Sequence, residues 1–375
     1  MNILLVAMGL DIGGAETHVV NLARKLKRKG HYPVVISSGG VYEQEIISEQ
    51  IPHYKAELDK KGLKATINSL KIMRDVVKSE NIDLIHAHGR IPAFISKIIS
   101  IVTHTPFMTT AHAKFDDSIK YRLISFWGEV TISVSEDIKE HLIKNFGVKE
   151  DRITVINNGI DTERFNSNID TSRLQQEVPI SVESNKVVYI SRLSGTLADV
   201  ARMVSDAIYK IRKQGVLIDL IVVGDGDDFS RIENYSHKIN SEYGEKFIHV
   251  LGKRTDIPEI LAFGDVVVAV SRSALEAMSC EKAVVLVGGE GYMGLLTDEN
   301  LSVAMQNNFT GRTVKEEITT DKIANEIEKI IGKDNAIRRA KLGKLGREVV
   351  KEYFSIDSMT DETIEIYKKL INRRK

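Results

Sequence analysis

The sequence predicts an α/β protein made of two doubly wound parallel-sheet domains in tandem. Short apolar runs alternate with amphipathic helical stretches along most of the chain. The alternation stops near Asp161, in the turn-rich Asn157-Asn158-Gly159-Ile160-Asp161, and then starts again. The length, 375 residues, suits two domains of ordinary size.

The first series places strands at Ile3–Ala7, Pro33–Ser37, Ile82–His86, Phe107–Thr110, Val130–Val134 and Ile153–Ile156. Between them, Thr17–Lys29 and Leu63–Ser79 carry apolar residues at spacings of three and four, one face of a helix. The polar stretch from about Ser167 to Ser184 reads as the link between domains. A second series follows: Val187–Ser191, Leu217–Val223, Phe247–Leu251, Val266–Val270 and Ala283–Val287. From Ile323 onward the chain reads as helical and charged. The expected domains are residues 1–165 and 166–357. Two such sheets would bind ligands in a cleft at the C-terminal ends of their strands.

Composition narrows the function. Lys+Arg and Asp+Glu both total 52, so net charge gives no case for a nucleic-acid partner. The single cysteine, Cys280, leaves no intrachain disulfide and fits a reducing compartment. No signal segment opens the chain, and no stretch approaches the roughly 18 apolar residues of a membrane span. A cytoplasmic protein is expected. The run Arg24-Lys25-Leu26-Lys27-Arg28-Lys29 is dense in cations. It reads either as charge placed favourably at a helix C-terminus or as a patch for anionic lipid headgroups at the inner membrane face.

Six stretches carry candidate chemistry. The loop from Met8 to Glu16 holds Gly13 and Gly14, which let backbone amides approach a phosphate at a helix N-terminus. Its spacing is not G-x-G-x-x-G, which disfavours a dinucleotide site. His86, His88 and His112 stand at the ends of two strands, placed to hydrogen-bond a ligand. Their spacing is not that of a zinc motif, so no metal site is expected. Arg192 follows the first strand of the second series and suits a diphosphate. Gly224-Asp225-Gly226 is a glycine turn after a strand, a weak signal alone. Ser273-Ala274-Leu275-Glu276, with a helix starting near Ala274, matches the capping box S-x-x-E. Glu276 then either closes that cap or accepts hydrogen bonds from two ribose hydroxyls, with the amides of Ser271 to Ala274 holding phosphates.

In this order, the stretches GGAETHVVNLARKL, DLIHAHG, TTAH, ISVSEDIKEHL, VINNGIDTERF, YISRL, LIVVGDGDD, VLGKRTDIPEILAFGDVVV, ALEAMSCEKAVV and YFSIDSM…YKKL resemble glycosyltransferase family 4, of the GT-B fold. The resemblance covers nearly the whole chain. It implies that a nucleotide-sugar sits in the C-terminal domain, with Glu276 on the ribose and Arg192 on the diphosphate. It also implies that Gly13 and Gly14 approach the phosphates and that His112 lies near the transferring sugar. His86 and His88 fall on the acceptor side, and a final helix from about Ser358 (to 375) packs back on the N-terminal domain. Members of the family mostly retain the anomeric configuration and need no metal or other cofactor.

Two departures from the family pattern stand out. Leu197 occupies the position of a usual lysine, and Val268 that of a usual glutamate on a Gly-rich loop. Arg272 is a candidate substitute for the lysine by position. Glu290, in Gly288-Gly289-Glu290-Gly291-Tyr292, is a candidate sugar contact. The reading that follows is a glycosyltransferase moving a sugar from a nucleotide diphosphate, most simply UDP, to a hydroxyl of a carbohydrate or lipid-linked acceptor in envelope or capsular polysaccharide synthesis. A UDP-sugar 2-epimerase and a non-catalytic partner subunit are the alternatives.

Overall fold

The computed structural model describes residues 1–60, 62–312, 314 and 316–373. It divides into two compact units. One is Met1–Gly159 together with the last segment from Ser355 onward, and the other is Ile160–Phe354.

The first unit is a seven-stranded sheet: β1 (Asn2–Ala7), β2 (Tyr32–Ser37), β3 (His53–Lys55), β4 (Leu84–His88), β5 (Phe107–Ala111), β6 (Thr131–Ser133) and β7 (Ile153–Val155). Its helices are α1 (Gly14–Arg28), α2 (Glu43–Ser48), α3 (Leu63–Ser79), α4 (Arg90–Thr103), α5 (Ile119–Arg122) and α6 (Glu136–Phe146). The strand order is β3-β2-β1-β4-β5-β6-β7, all parallel, so the winding reverses between β1 and β4. β1, β4 and β5 are covered on both faces; β1 reads as an apolar run from Ile3 to Ala7, whereas β4 buries two histidines and β5 two threonines.

The second unit contains α7 (Ser172–Glu177), β8 (Asn185–Ile190), α8 (Thr196–Lys213), β9 (Ile218–Val223), α9 (Phe229–Tyr243), β10 (Ile248–Gly252), α10 (Ile257–Phe263), β11 (Val266–Ala269), α11 (Ser271–Ser279), β12 (Ala283–Gly288), β13 (Gly291–Leu295), α12 (Leu301–Gln306), α13 (Thr320–Glu328) and α14 (Ala336–Tyr353). Its sheet runs β10-β9-β8-β11-β12-β13, with only β13 antiparallel. The reversal here lies between β8 and β11, which pair in parallel.

The last helix, α15 (Ile356–Asn372), belongs to the first unit. Ile356, Met359, Ile364, Ile366, Tyr367 and Leu370 are buried in one cluster with Leu22, Ala23 and Leu26 of α1. At about 25 cal/mol per Å² of apolar surface removed from water, such a stripe holds a 17-residue helix far more firmly than its intrinsic propensity would.

Three local expectations give way. Residues 167–184 are not a free link. They carry α7, whose Leu174 is buried beside Val178 and Ile180 in the core of the second unit. The first unit ends at Gly159, six residues before the expected boundary. The basic run at the end of α1 is committed to partners within its own unit. Arg24 pairs with Glu45 and Glu49, Lys25 with Asp357 at 2.9 Å, and Lys29 with Asp361 at 2.8 Å. Lys27 donates to the carbonyls of Glu49 and Gln50. Much of the charge that suggested a lipid patch is thus paired locally, and Lys25 and Lys29 tie the end of α1 to α15, while Arg28 stays half-exposed. No helix among the described residues is long and apolar enough to cross a membrane.

Candidate functional site

In the second unit, two loops leave the sheet at the strand-order reversal. One follows β8 and carries Arg192. The other follows β11 and opens α11. Neighbouring strands whose helices run to opposite sides leave a crevice at their C-terminal ends, the usual ligand position in such sheets.

The β8 loop is held by the glycine turn after β9. Gly224 has φ 147° and Gly226 φ 155°, both in the region that favours glycine. A Cβ at Gly224 would overlap the carbonyl oxygen of Ser191, and one at Gly226 the carbonyl of Leu193 and the hydroxyl of Ser194. Leu193 N donates to Asp225 O at 3.0 Å, Asp228 N donates to Leu193 O at 2.9 Å, and Gly195 N donates to the Asp228 carboxylate at 2.8 Å. The loop is thus rigid, yet the Arg192 side chain is exposed and makes no ion pair among the described residues.

The β11 loop departs from the sequence reading. Helix α11 begins at Ser271, three residues earlier than expected, with Val270 as its N-cap and no side-chain cap. The capping box is therefore not formed. Ser273 is the third residue of the helix, half-buried, and Glu276 lies in its second turn. The earlier start puts Arg272 and Glu276 four residues apart on one face. Arg272 Nε donates to Glu276 Oε1 at 2.8 Å, and both side chains are about nine-tenths buried. Burial pushes the Glu276 carboxyl up, opposed by the charges of Arg272 and Arg164. Arg164, from the turn that opens the second unit, is a cation near this carboxylate that the sequence did not single out.

Backbone strain gathers at the same helix end. Ser271, Asn308 and Phe309 have φ of 53°, 55° and 57°. Non-glycine residues in that region persist only where the surroundings over-determine them, and they concentrate at ligand sites. Ser271 N donates to Phe309 O at 2.8 Å, and Asn308 Nδ2 to Ser271 Oγ at 3.3 Å. The Oδ1 of Asn308 is buried without a hydrogen-bond partner among the described residues.

Glu290 sits in the two-residue turn of the β12–β13 hairpin. It is exposed and paired with Arg312. The adjoining Gly289 packs on Thr196 at the start of α8, so the turn lies beside the β8 loop. Leu197, at the family's lysine position, is in the first turn of α8, and its carbonyl accepts from Tyr189 Oη at 2.8 Å. Val268 is fully buried inside β11.

In the first unit, both histidines of DLIHAHG lie within β4, because the strand runs two residues past His86, its expected end, and takes in His88. His86 is fully buried. Its Nδ1 is hydrogen-bonded to Tyr367 Oη and its Nε2 to Thr110 Oγ1, both at 2.7 Å. Burial pushes its pKa down to about 3. It is a core residue that fastens α15, not an acceptor-side group. His88, on the same strand face, reaches His112 across β5, with Nδ1 to Nε2 at 3.0 Å. Burial holds its pKa well below the ordinary value. His112, just past β5, is only half-buried.

His18, which the sequence reading passed over, completes this edge. It is buried on α1, and its ring centroid lies 4.7 Å from that of His112. Gly13 is the N-cap of α1, in extended conformation, and Gly14 the first helical residue. A Cβ at Gly13 would meet the carboxylate of Glu16. An acid thus already occupies the end of α1 where a phosphate was expected.

Comparison with known proteins places this geometry. Residues 12–164 match the family described as Glycosyltransferase Family 4, and residues 184–333 match Glycosyl transferases group 1. An uncharacterised glycosyltransferase of Methanocaldococcus jannaschii is 27% identical over 326 residues, 77% of this chain and 81% of that one. A UDP-Gal:alpha-D-GlcNAc-diphosphoundecaprenol alpha-1,3-galactosyltransferase of Escherichia coli is 26% identical over 296 residues, 72% of this chain and 73% of its own. The crystal structure of Anabaena HepE in complex with UDP-glucose superposes with a TM-score of 0.77 at 20% identity, covering 99% of this chain and 100% of that one. Two parallel-sheet Rossmann-like units, with two family matches that together span most of the sequence, make this chain a GT-B glycosyltransferase of family 4.

Proposed function

We propose that the chain transfers a sugar from a UDP-sugar to a hydroxyl acceptor and holds the donor at the β8–β11 edge of the second unit. The observation that carries this is the pairing of an unengaged Arg192 after β8 with the strained start of α11 after β11, on the two strands that flank the reversal. Arg192 grips the diphosphate through parallel hydrogen bonds. The positive end of the α11 dipole adds to that grip. Glu276, oriented by Arg272, accepts from the ribose hydroxyls. Arg272 is thus the residue that aims Glu276, and the lysine absent at Leu197 is not replaced at its own position.

UDP-glucose bound to HepE and the UDP-galactose in the name of the E. coli relative support uridine as the base. That relative's name also supports a lipid-linked diphosphate acceptor of the envelope-polysaccharide kind. Glu290 and the Gly13–Gly14 loop are secondary contacts in this reading, and His112 keeps its family place beside the sugar.

The chemistry asks little of a protein base. The acceptor oxygen bonds to the anomeric carbon on the face the diphosphate leaves. The carbon–oxygen bond to the β-phosphate breaks, and the acceptor proton passes to that phosphate oxygen, with retention. Fixed donors around the diphosphate stabilise the charge that develops on it.

Release of UDP from a panel of UDP-sugars, with and without lipid-linked and free sugar acceptors, tests this. UDP formed only with an acceptor supports transfer. A UDP-sugar converted to its epimer with no acceptor present would contradict it.

A further inference from the structure

We propose that His18, His88 and His112 form a binding site for one zinc-class divalent ion on the sheet edge of the first unit. Each residue offers one ring nitrogen, and these nitrogens all lie within 4.8 Å of one another, the one such group among the described residues. Ligands of a tetrahedral ion bonded at about 2.05 Å stand roughly 3.3 Å apart. The His88 and His112 nitrogens are already 3.0 Å apart, so side-chain shifts of about an ångström would close the triangle.

The three residues come from α1, β4 and the end of β5, so packed elements and not one mobile loop fix the spacing. His88 Nδ1 and His112 Nε2 face each other at 3.0 Å with one proton to share, and an ion between them takes that proton's place. Three imidazoles with a fourth position open are the donor set of zinc and of cobalt, nickel or copper, not of magnesium or calcium, which need oxygen. His112 is half-buried and gives the ion a way in.

One consequence rests on the proposed role of His112 beside the sugar. An ion that takes the His112 nitrogen withdraws it from the sugar, so zinc inhibits transfer.

The test uses the full, tag-free chain and cobalt(II) alone. The site predicts the intense visible bands of four-coordinate cobalt, saturating at one equivalent, displaced by zinc, and lost in His112→Ala and His18→Gln. Bands that are absent, or that persist in both variants, overturn it. If a variant fails to fold, the native chain still decides. Zinc slows acylation of His112 by diethyl pyrocarbonate if the site exists and leaves it unchanged if it does not. Cobalt binding without zinc inhibition removes the inhibitory role alone. Failure to bind UDP would count against the donor reading and not against this site.

Discussion

The two sheet edges at the strand-order reversals are built in opposite ways. In the first unit, polar groups are spent on one another. His86 is held by Thr110 and Tyr367, His88 by His112, and the end of α1 by its own Glu16. In the second unit, one cation is left exposed, a buried pair aims a carboxylate, and the backbone at the helix start is strained. The first edge is organised by burial of neutral rings and the second by fixed charge. A diphosphate is recognised by the second kind, so the two edges should respond differently to substitution, to acid and to nucleotide.

The largest effect on stability is expected where fixed charge is buried. Arg272→Ala leaves Glu276 desolvated without its nearest cation and should cost about 3–5 kcal/mol by denaturant unfolding. Arg272→Met with Glu276→Leu together should cost less than the single change. Equal or larger loss in the double variant would show that the pair does not couple. Gly224→Ala comes next, because the new Cβ overlaps Ser191 in a backbone region that side chains avoid. A loss of about 2–3 kcal/mol is expected, together with weaker UDP binding from the displaced Arg192 loop.

Arg192→Ala sharpens the contrast. The side chain is exposed and contributes little to folding, so the ligand-free melting midpoint should stay in place. Loss of a charge-assisted pair worth about 2–3 kcal/mol should weaken UDP binding roughly 30- to 150-fold by titration calorimetry. A lowered midpoint with unchanged affinity would assign Arg192 to the fold instead.

Acid separates the edges in another way. Burial lowers the pKa of His86 and His88, so the folded chain binds fewer protons there than the unfolded one. The stability this gives is present above the unfolded value near 6.5 and is lost as pH falls toward the folded value, about 3 for His86. Unfolding between those limits should steepen by up to about 1.4 kcal/mol per pH unit for each such ring. His86→Leu should flatten that slope even though it destabilises at neutral pH, and an unchanged slope would contradict the burial argument. The smallest effect belongs to the surface. Glu290→Ala breaks an exposed pair with Arg312 and should change stability by less than about 1 kcal/mol.

These contrasts also explain what could be read beforehand. β1, β2, β8, β11 and β12 were legible because parallel strands covered on both faces leave apolar runs such as Ile3–Ala7 and Val266–Ala269. β3 was not, because His53-Tyr54-Lys55 is short and polar. β13 was not, because Gly291-Tyr292-Met293-Gly294-Leu295 carries two glycines and no alternation. Of the candidate side chains at the second edge, Arg192 was easy to single out because it stands just past a strand, and Glu276 because its short helix is wedged between two strands. The start of α11 was misplaced because Ser271 is helical by hydrogen bonding but left-handed in φ, and nothing in Ser-Arg-Ser announces it.

Long-range partners left no local signal. Tyr367 meets His86, and Asp357 and Asp361 meet the α1 cations, across most of the sequence. His18 offered one hint, a polar ring on the buried face of an amphipathic helix.

The central claim is that fixed charge at the β8–β11 edge holds the donor. The most direct test is the melting midpoint of the native chain, Arg192→Ala and Glu276→Gln with UDP, GDP and ADP. UDP at about a hundred times its dissociation constant should add roughly 2.7 kcal/mol to the native chain. The account predicts that shift for UDP above the other nucleotides and its loss in both variants. A native chain that no nucleotide stabilises, or a UDP shift that survives both substitutions, would contradict it.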